Sequence, residues 1–412
     1  MKNQERIDKY IQLIVHRGVQ ITVGDKLIIF SMVENPEITR AVVAEAYKAG
    51  AREVVVQYKD EQISRLTGLY AADEVFDVYP KWQAELYTMI CEENVKLLHL
   101  ASEDPEALNG VEPSRLMRLQ KAAQEPLKTY RSQLMGDYLT WSIAGVPNIA
   151  WAKKVYPELD EAAAVEKLWD SILYSVHIDD QDDPLAGWDA HTARLQHALE
   201  QMNDYNFKSL HYTNSLGTDL FIGLPEGHAW EGGKSTNKTT NTKFNANMPT
   251  EEVFSLADCN NVEGVVYSSK PLSYSGVLME NFGFRFEAGR VVEVFAENGK
   301  DMLEEMIASD DGAGRIGEVA LVPYHSPISL MDTIFYNTLY DENASCHLAL
   351  GAAYPTTLPA SDGKTPEELK AMGFNESLIH VDFMIGTADL KIIGTTQDGQ
   401  EIPVFIDGDF AF

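Results

Sequence analysis

The stretch SLIHVDFMIG (377–386) places a histidine and an aspartate inside a run of apolar residues. The run has the length of a buried strand, and alternation along a strand puts His380 and Asp382 on the same face. Burying either group costs free energy unless it finds a hydrogen-bond partner, an opposite charge or a metal ion. The stretch therefore allows two interpretations, a His–Asp pair satisfied within a core or a pair of metal ligands.

Acids on apolar strands recur elsewhere in the second half of the chain. Glu318 lies in the apolar strand GEVALVP (317–323). The segment PTEEVF (249–254) carries Glu251 and Glu252, and alternation lets only one of them face a given site. The recurrence favours the metal-ligand interpretation, because isolated strand carboxylates normally point to solvent.

The acids and histidines of this half would form a group that needs cations. DENASCH (341–347) adds further acids and a histidine just before an apolar run. Four carboxylates gathered together repel one another unless cations lie among them, and two divalent ions would balance their charge. Mixed carboxylate and imidazole ligands suit Zn, Co, Mn or Mg. The predicted metal ligands are Glu252, Glu318, Glu342, His347, His380 and Asp382.

The two halves of the chain differ in their predicted secondary structure. Strands at 26–30 and 54–58 flank a helix at 36–49, which forms a βαβ unit and requires parallel pairing. From residue 207 onward short strands are separated by turns, with a hairpin around Ala288-Gly289. We therefore predict an α/β domain with a mostly parallel sheet over residues 1–204. A β-rich α+β metal-binding domain is predicted over residues 205–412.

Two polar stretches are predicted as loops, and several catalytic motifs are missing. The loops are DDQDDP (179–184) and STNKTTNT (235–242). No glycine-rich phosphate loop follows a predicted strand, so nucleotide binding is not indicated. The sequence also lacks a G-x-S-x-G elbow and an H-E-x-x-H helix, which argues against a serine nucleophile and a mononuclear zinc peptidase.

The charge balance and the cysteine count limit the partners and the compartment. The chain has 63 acidic and 33 basic residues, a net charge of −30, which repels phosphate backbones and anionic membranes. No apolar run approaches the roughly 20 residues that span a bilayer, and the start of the chain predicts an amphipathic helix instead of a signal peptide. Three scattered cysteines fit a reducing cytosol. We expect a cytoplasmic protein that binds neither nucleic acid nor membranes.

The second half of the chain resembles the metallo-aminopeptidases of the aminopeptidase T and aminopeptidase S type. The matching stretches follow one another in the expected order across most of the predicted second domain. The first half matches more diffusely, through GDKLII (24–29) and its α/β layout. The stretches in the second half are ANMPTEEVFSLAD (246–258), KPLSYSG (270–276), GRIGEVALVPYHSPIS (314–329), FYNTLYDENASCHLALGAAYP (335–355) and IHVDFMIGTADL (379–390).

This resemblance implies a dinuclear metal site with a metal-activated bridging water that hydrolyses the amino-terminal peptide bond. It favours Glu252 over Glu251 as a ligand and makes Glu318 the bridging carboxylate. Tyr354 would lie beside the metals and stabilise the oxyanion, although the sequence alone would make it a turn aromatic before Pro355. Glu251 is either a general base or a solvated strand residue. The resemblance further implies two divalent ions per chain, peptide substrates with a free amino terminus, and a homodimer.

Two other classes of function stay open on the residues alone. Another dinuclear hydrolase, such as a phosphoesterase, would use the same two-metal clamp, although no arginine cluster accompanies the ligands. A non-enzymatic metal- or peptide-binding protein would hold structural ions in a closed coordination sphere. A metal-dependent aminopeptidase is the leading prediction.

Overall fold

A computed structural model describes residues 3–178, 183, 185–274 and 277–412. Apart from residue 183, the predicted loop at 179–184 lies outside the described residues. The helices, in chain order, are α1 (Gln4–Leu13), α2 (Pro36–Lys48), α3 (Glu61–Tyr70), α4 (Lys81–Glu93), α5 (Pro113–Gln124), α6 (Lys128–Met135), α7 (Ile149–Val155), α8 (Glu161–Ser175), α9 (Ala186–Tyr205), α10 (Lys300–Ile307), α11 (Pro327–Met331), α12 (Thr338–Asp341) and α13 (Pro366–Ala371).

The strands have between two and seven residues. In chain order they are β1 (Lys26–Met32), β2 (Glu53–Lys59), β3 (Lys96–Ala101), β4 (Trp141–Gly145), β5 (Ser209–Thr213), β6 (Asp219–Gly223), β7 (Glu231–Gly232), β8 (Ser235–Thr236), β9 (Lys243–Phe244), β10 (Asn247–Met248), β11 (Val253–Ser255), β12 (Val262–Tyr267), β13 (Leu272–Tyr274), β14 (Val277–Met279), β15 (Gly283–Glu287), β16 (Arg290–Phe295), β17 (Ile316–Leu321), β18 (His347–Gly351), β19 (His380–Met384), β20 (Lys391–Thr395), β21 (Glu401–Ile406) and β22 (Asp409–Phe410).

The contacts of the chain divide it into two compact units. The first contains the described residues up to His191, together with Lys234–Pro249 and Thr333–Leu339. The second contains Thr192–Gly233, the described residues of 250–332, and Tyr340–Phe412. This partition by contacts does not test the predicted domain boundary between residues 204 and 205, which stays a prediction.

The first unit is built on a parallel sheet with the strand order β10-β4-β3-β1-β2. Strand β1, helix α2 and strand β2 form the predicted βαβ unit, with Lys26 opposite Glu53. Helix α2 begins with Pro36, which is preorganised for the first turn, and is followed by Gly50 at a φ of +105°. The parallel pairing confirms the predicted α/β character of the first half.

The polar stretch at 235–242, predicted as a loop, is a short hairpin of β8 and β9 held by one buried asparagine. Asn237 is fully buried, and its amide nitrogen donates to the Tyr138 carbonyl and the Thr140 hydroxyl, each at 3.1 Å. Its side-chain oxygen accepts from the backbone N–H groups of Thr239 and Thr240. The segment is polar in composition but is held in place, because the Asn237 side-chain amide forms several hydrogen bonds at once.

The second unit contains two larger antiparallel sheets. One has the order β19-β18-β17-β11-β7, and the other the order β16-β15-β12-β6-β5-β20-β21-β22. Apolar residues from both sheets, such as Phe284, Leu348 and Phe383, form one buried cluster. The predicted hairpin joins β15 to β16 through Ala288 and Gly289, both with positive φ, as a tight two-residue turn requires.

Among the described residues, no helix combines the length and the apolar composition needed to cross a bilayer.

Candidate metal centre

Strands β17, β18 and β19 place the predicted ligands on one face of the five-stranded sheet. Glu318 lies opposite Ala349, which in turn lies opposite Asp382. His347 and His380 lie at the two ends of the β18–β19 pairing. The alternate residues of the same strands belong to the buried apolar cluster on the other side: Val319, Leu348, Leu350, Val381 and Phe383. The core thus fixes the backbone from which the polar side chains project.

The two remaining predicted ligands come from segments that lead into strands. Glu252 directly precedes β11, which pairs with β17 from Val253 opposite Leu321. Glu342 begins a short 3-10 turn, Glu342–Ala344, that leads into β18. The backbone N–H of Glu251 donates to the Asn343 side-chain oxygen at 2.7 Å, which ties these two segments together. Asn343 is fully buried and is a positioning residue that the sequence analysis missed, although it stands next to Glu342.

A β-bulge at Gly317 aims Glu318 at the other ligands. Ile316 lies opposite Leu350 and Glu318 lies opposite Ala349, so Gly317 is an extra residue on its strand. Ile316 belongs to the buried apolar cluster, while Glu318 faces the ligands, even though the two residues would share a face in a regular strand. A glycine inside an apolar strand was the sequence signal for this bulge.

The ligand atoms of five predicted residues meet in two groups that share Glu318. Atoms of Glu252, Glu318 and His347 lie within 4.8 Å of one another, and so do atoms of Glu318, His380 and Asp382. The Nε2 atom of His380 lies 3.0 Å from Glu318 Oε2 and 3.3 Å from Asp382 Oδ1. The Nε2 atom of His347 lies 3.5 Å from Glu252 Oε2. The sixth predicted ligand, Glu342, belongs to neither group.

The hydrogen bonds of both histidines show that a positive charge belongs between them and the carboxylates. The Nδ1 atom of His347 lies 3.1 Å from the Ser345 carbonyl oxygen, and that of His380 lies 2.7 Å from the Ala352 carbonyl oxygen. A carbonyl only accepts, so each Nδ1 carries a proton and each neutral ring would turn the lone pair of Nε2 toward a carboxylate. Two acceptors in contact require a proton or a metal ion between them. A ring whose Nδ1–H donates to a backbone carbonyl while Nε2 faces the site is typical of metal-ligating histidines.

The pKa values of these carboxylates and histidines also indicate that the site requires cations. Burial raises the pKa of Glu252 to about 7, with Glu318 and Asp382 adding to the effect and His347 opposing it. Burial also raises the pKa of Glu342 well above its usual range, reinforced by the charges of Glu252 and Asp382. Burial disfavours the charged form of His380, but hydrogen bonds to Asp382 and Glu318 prevail and raise its pKa to about 11. Without metal the site takes up protons, so the donor set fits divalent cations.

Tyr354 lies beside this cluster, just after β18. Its ring centroid is 4.9 Å from that of His380 and 5.7 Å from that of Phe254. Burial raises the pKa of the Tyr354 phenol, and the carboxylates, Glu318 first among them, raise it further. The phenol therefore keeps its proton at neutral pH and is available as a hydrogen-bond donor.

Glu251 is buried, with 3% of its surface exposed. The solvated position that the sequence allowed for it is therefore wrong. It belongs to neither of the two groups that share Glu318.

Comparison with known proteins gives matches along the whole chain. Residues 3–410 match the family described as thermophilic metalloprotease (M29). The chain is 41% identical over 409 residues to aminopeptidase 2 of Geobacillus stearothermophilus, covering 99% of this chain and 98% of that protein. It is 40% identical over 408 residues to aminopeptidase AmpS of Bacillus subtilis (strain 168), covering 99% of each. Among solved structures, wild-type AmpT from Thermus thermophilus is 35% identical, superposes with a TM-score of 0.92 and is matched over 100% of both chains.

We expect Gly317→Ala to weaken metal binding and lower stability together. A Cβ atom at this position would lie 2.2 Å from the Gly351 carbonyl oxygen, so β17 and β18 would have to separate at the point where Glu318 is aimed. Such overpacking costs about 1–3 kcal/mol. The thermal unfolding midpoint and the bound metal per chain are the measurements.

The matched control for this prediction is Gly399→Ala in the turn between β20 and β21. Nothing lies within 4 Å of a Cβ there, and only the φ of +86° opposes the change. This variant should lose roughly 1 kcal/mol of stability and keep its metal. A Gly317→Ala protein with unchanged metal content would contradict the role of the bulge.

Proposed function

Because the chain belongs to the thermophilic metalloprotease (M29) family and is a metal-dependent aminopeptidase, we propose that its second unit holds two divalent ions. The observation that carries this proposal is the sharing of Glu318 between two ligand groups. Zn, Co, Mn and Mg all suit such carboxylate and imidazole ligands. The proposed ligands are Glu252, Glu318, Glu342, His347, His380 and Asp382.

The residues of the chain would act on a peptide at this centre by charge and by hydrogen bonding. Bound divalent ions would lower the pKa of a water molecule and polarise a carbonyl group. A bound ion would also accept the lone pair of a neutral α-amine, which an acetylated terminus lacks, and this would account for a preference for free amino termini. Tyr354, a neutral phenol, donates a hydrogen bond to the carbonyl oxygen as that oxygen gains charge. Glu251, a buried carboxylate next to Glu252, is the proposed proton acceptor.

The phosphoesterase alternative is not favoured. Its substrate would bring further negative charge to a cluster in which burial already raises the pKa values of Glu252 and Glu342. Arg315, the arginine closest to the ligands in the sequence, donates to the Cys259 carbonyl oxygen at 2.5 Å and is 93% buried. That arginine is therefore engaged in holding the backbone.

A homodimer in the cytoplasm is the assembly and compartment that we propose. Helix α3 exposes a stripe of large apolar side chains, with Ile63, Leu66 and Tyr70 at 62%, 52% and 78% exposure. These residues follow helical spacing, so they lie along one side of the helix, and an exposed apolar stripe indicates a contact surface. A second copy of the chain is the partner that the resemblance implies. The free thiols of Cys91, Cys259 and Cys346 agree with a reducing compartment.

The first prediction from this function concerns Glu318→Ala. The change should lower the affinity for both ions by more than about a hundredfold. Loss of a residue that only hydrogen-bonds to a ligand lowers metal affinity by about 10–100-fold, and Glu318 is a proposed ligand of both ions. Bound metal is measured first. Hydrolysis is then assayed on a dipeptide amide, on its N-acetylated form and on a phosphomonoester.

Wild type should cleave only the free-amine peptide, and a chelator should abolish that activity. The exposed Glu226→Ala is the charge-matched control and should keep both metal and activity. Equal cleavage of the acetylated peptide would sink the aminopeptidase mechanism. Retained metal without any activity in wild type would indicate a binding protein.

Tyr354→Phe and Glu251→Gln should separate chemistry from metal binding. Each removes a proton donor or acceptor without removing a proposed ligand, so the bound metal should stay at the wild-type level. Loss of one hydrogen bond to the transition state should lower kcat by about 10²–10³-fold with little change in KM. A variant with wild-type kcat would remove the corresponding residue from the mechanism.

Light scattering after size exclusion should give twice the chain mass of 45.9 kDa. Leu66→Glu and Tyr70→Glu together should give the single-chain mass. Association of this variant would bury two carboxylates without partners, which is unfavourable. Ile149→Glu, at an exposed apolar position on α7, is the control and should stay dimeric. A wild-type protein that elutes with the mass of one chain would refute the dimer.

A further inference from the structure

A cavity of about 420 Å³ lies at the end of the strands that carry the proposed ligands. Its lining includes Val322 just after β17, Cys346 just before β18 and Gly386 just after β19. Cys346 is followed directly by His347, and consecutive Cα atoms are 3.8 Å apart. An extended dipeptide spans about 7 Å from its amine to its carboxylate, at 3.3–3.6 Å per residue. The cavity wall at Cys346 is therefore one residue away from the proposed ligand His347, a separation shorter than the length of a dipeptide.

One side chain gives the cavity a positive charge. Lys270 lines it and is half-buried, and none of the described carboxylates forms an ion pair with its ammonium group. The exposed Asp332 lines the same cavity but does not pair with it. Burying even part of an unpaired charge is unfavourable, so such a group indicates a missing anionic partner.

The neighbouring serine supplies a second, independent observation. The Ser269 hydroxyl oxygen is shielded from solvent and has no hydrogen-bond partner among the described residues. The backbone N–H of Ser269 donates to the Met384 carbonyl oxygen at 2.8 Å, which holds the segment against the edge of β19. Met384 lies opposite His347, so the segment is fixed beside the metal centre. A buried hydroxyl without a partner calls for a ligand atom that would satisfy it.

We propose that this cavity binds a carboxylate of the substrate, held by the Lys270 ammonium group and the Ser269 hydroxyl. The proposal rests on the aminopeptidase function given above and adds a substrate class to it. The metal centre would take the free α-amine, and Lys270 favours a negative group farther along the substrate. The carboxylate is either the carboxyl terminus of a dipeptide or the acidic side chain of a substrate residue, and both sources share the same chemistry.

Lys270→Met, assayed on two pairs of substrates, tests the proposal. The first pair is Leu-Ala and Leu-Ala amide, which differ in the terminal carboxylate. The second pair is Glu-Ala amide and Gln-Ala amide, which differ in a side-chain carboxylate. In at least one pair, wild type should favour the carboxylate substrate by about tenfold or more in kcat/KM, as a charge-assisted hydrogen bond would provide. Lys270→Met should abolish that preference through KM and leave kcat on the neutral substrates unchanged.

Three further measurements separate binding from structure. Lys270→Arg should keep the preference, and Lys364→Met, which removes the same charge from an exposed position, should keep it as well. Bound metal and the thermal unfolding midpoint should be equal in all variants. Equal losses on all four substrates, or no loss on any, would overturn the subsite. If wild type releases nothing from the two amides, the proposed function itself fails, which is a different result.

Discussion

The repulsion between acceptors that share one face of a sheet is the constraint on which the rest of this molecule depends. Two imidazole rings are held by backbone carbonyls so that their Nε2 atoms meet carboxylate oxygens at 3.0–3.5 Å. No arrangement of these groups is favourable without positive charge between them. Protons would supply that charge in the absence of ions, and divalent ions would supply it when bound. Metal dependence is thus built into the backbone that orients the rings.

The apolar face of the same sheet stabilises this arrangement. Each proposed ligand on β17, β18 and β19 has a core residue as its neighbour in the chain, as with Glu318 and Val319 or Asp382 and Phe383. Burying one such apolar side chain contributes about 1.5–3 kcal/mol. The ligands are therefore positioned by packing that does not involve them, and a protein that loses its metal is expected to keep the fold. Ions that bind only the folded chain should still raise its unfolding midpoint, so metal content and unfolding are measured together.

Local patterns predicted the parts of this structure that local physics determines. The βαβ unit and the Ala288-Gly289 hairpin follow from periodicity and turn chemistry, and the structure contains both. The pairing of His380 with Asp382 on one face follows from strand alternation. The glycine at 317 is a local signal for a bulge, but its register against β18 depends on which strands meet in space. The bond from the Glu251 N–H to Asn343 is likewise non-local. The contacts that assign Lys234–Pro249 and Thr333–Leu339 to the first unit are equally non-local.

Room for ions on the ligand face comes from small residues at the cross-strand positions. Ala349 lies between Glu318 and Asp382, and Ala320 lies opposite His347. Gly351 lies opposite His380, where a Cβ atom would come within 2.1 Å of the Ile379 carbonyl oxygen. Larger side chains at Ala349 and Ala320 would project from the ligand face, and any side chain at Gly351 would press on the backbone just before His380. The candidate metal centre therefore depends on the small residues that leave it open as well as on the residues that would bind the ions.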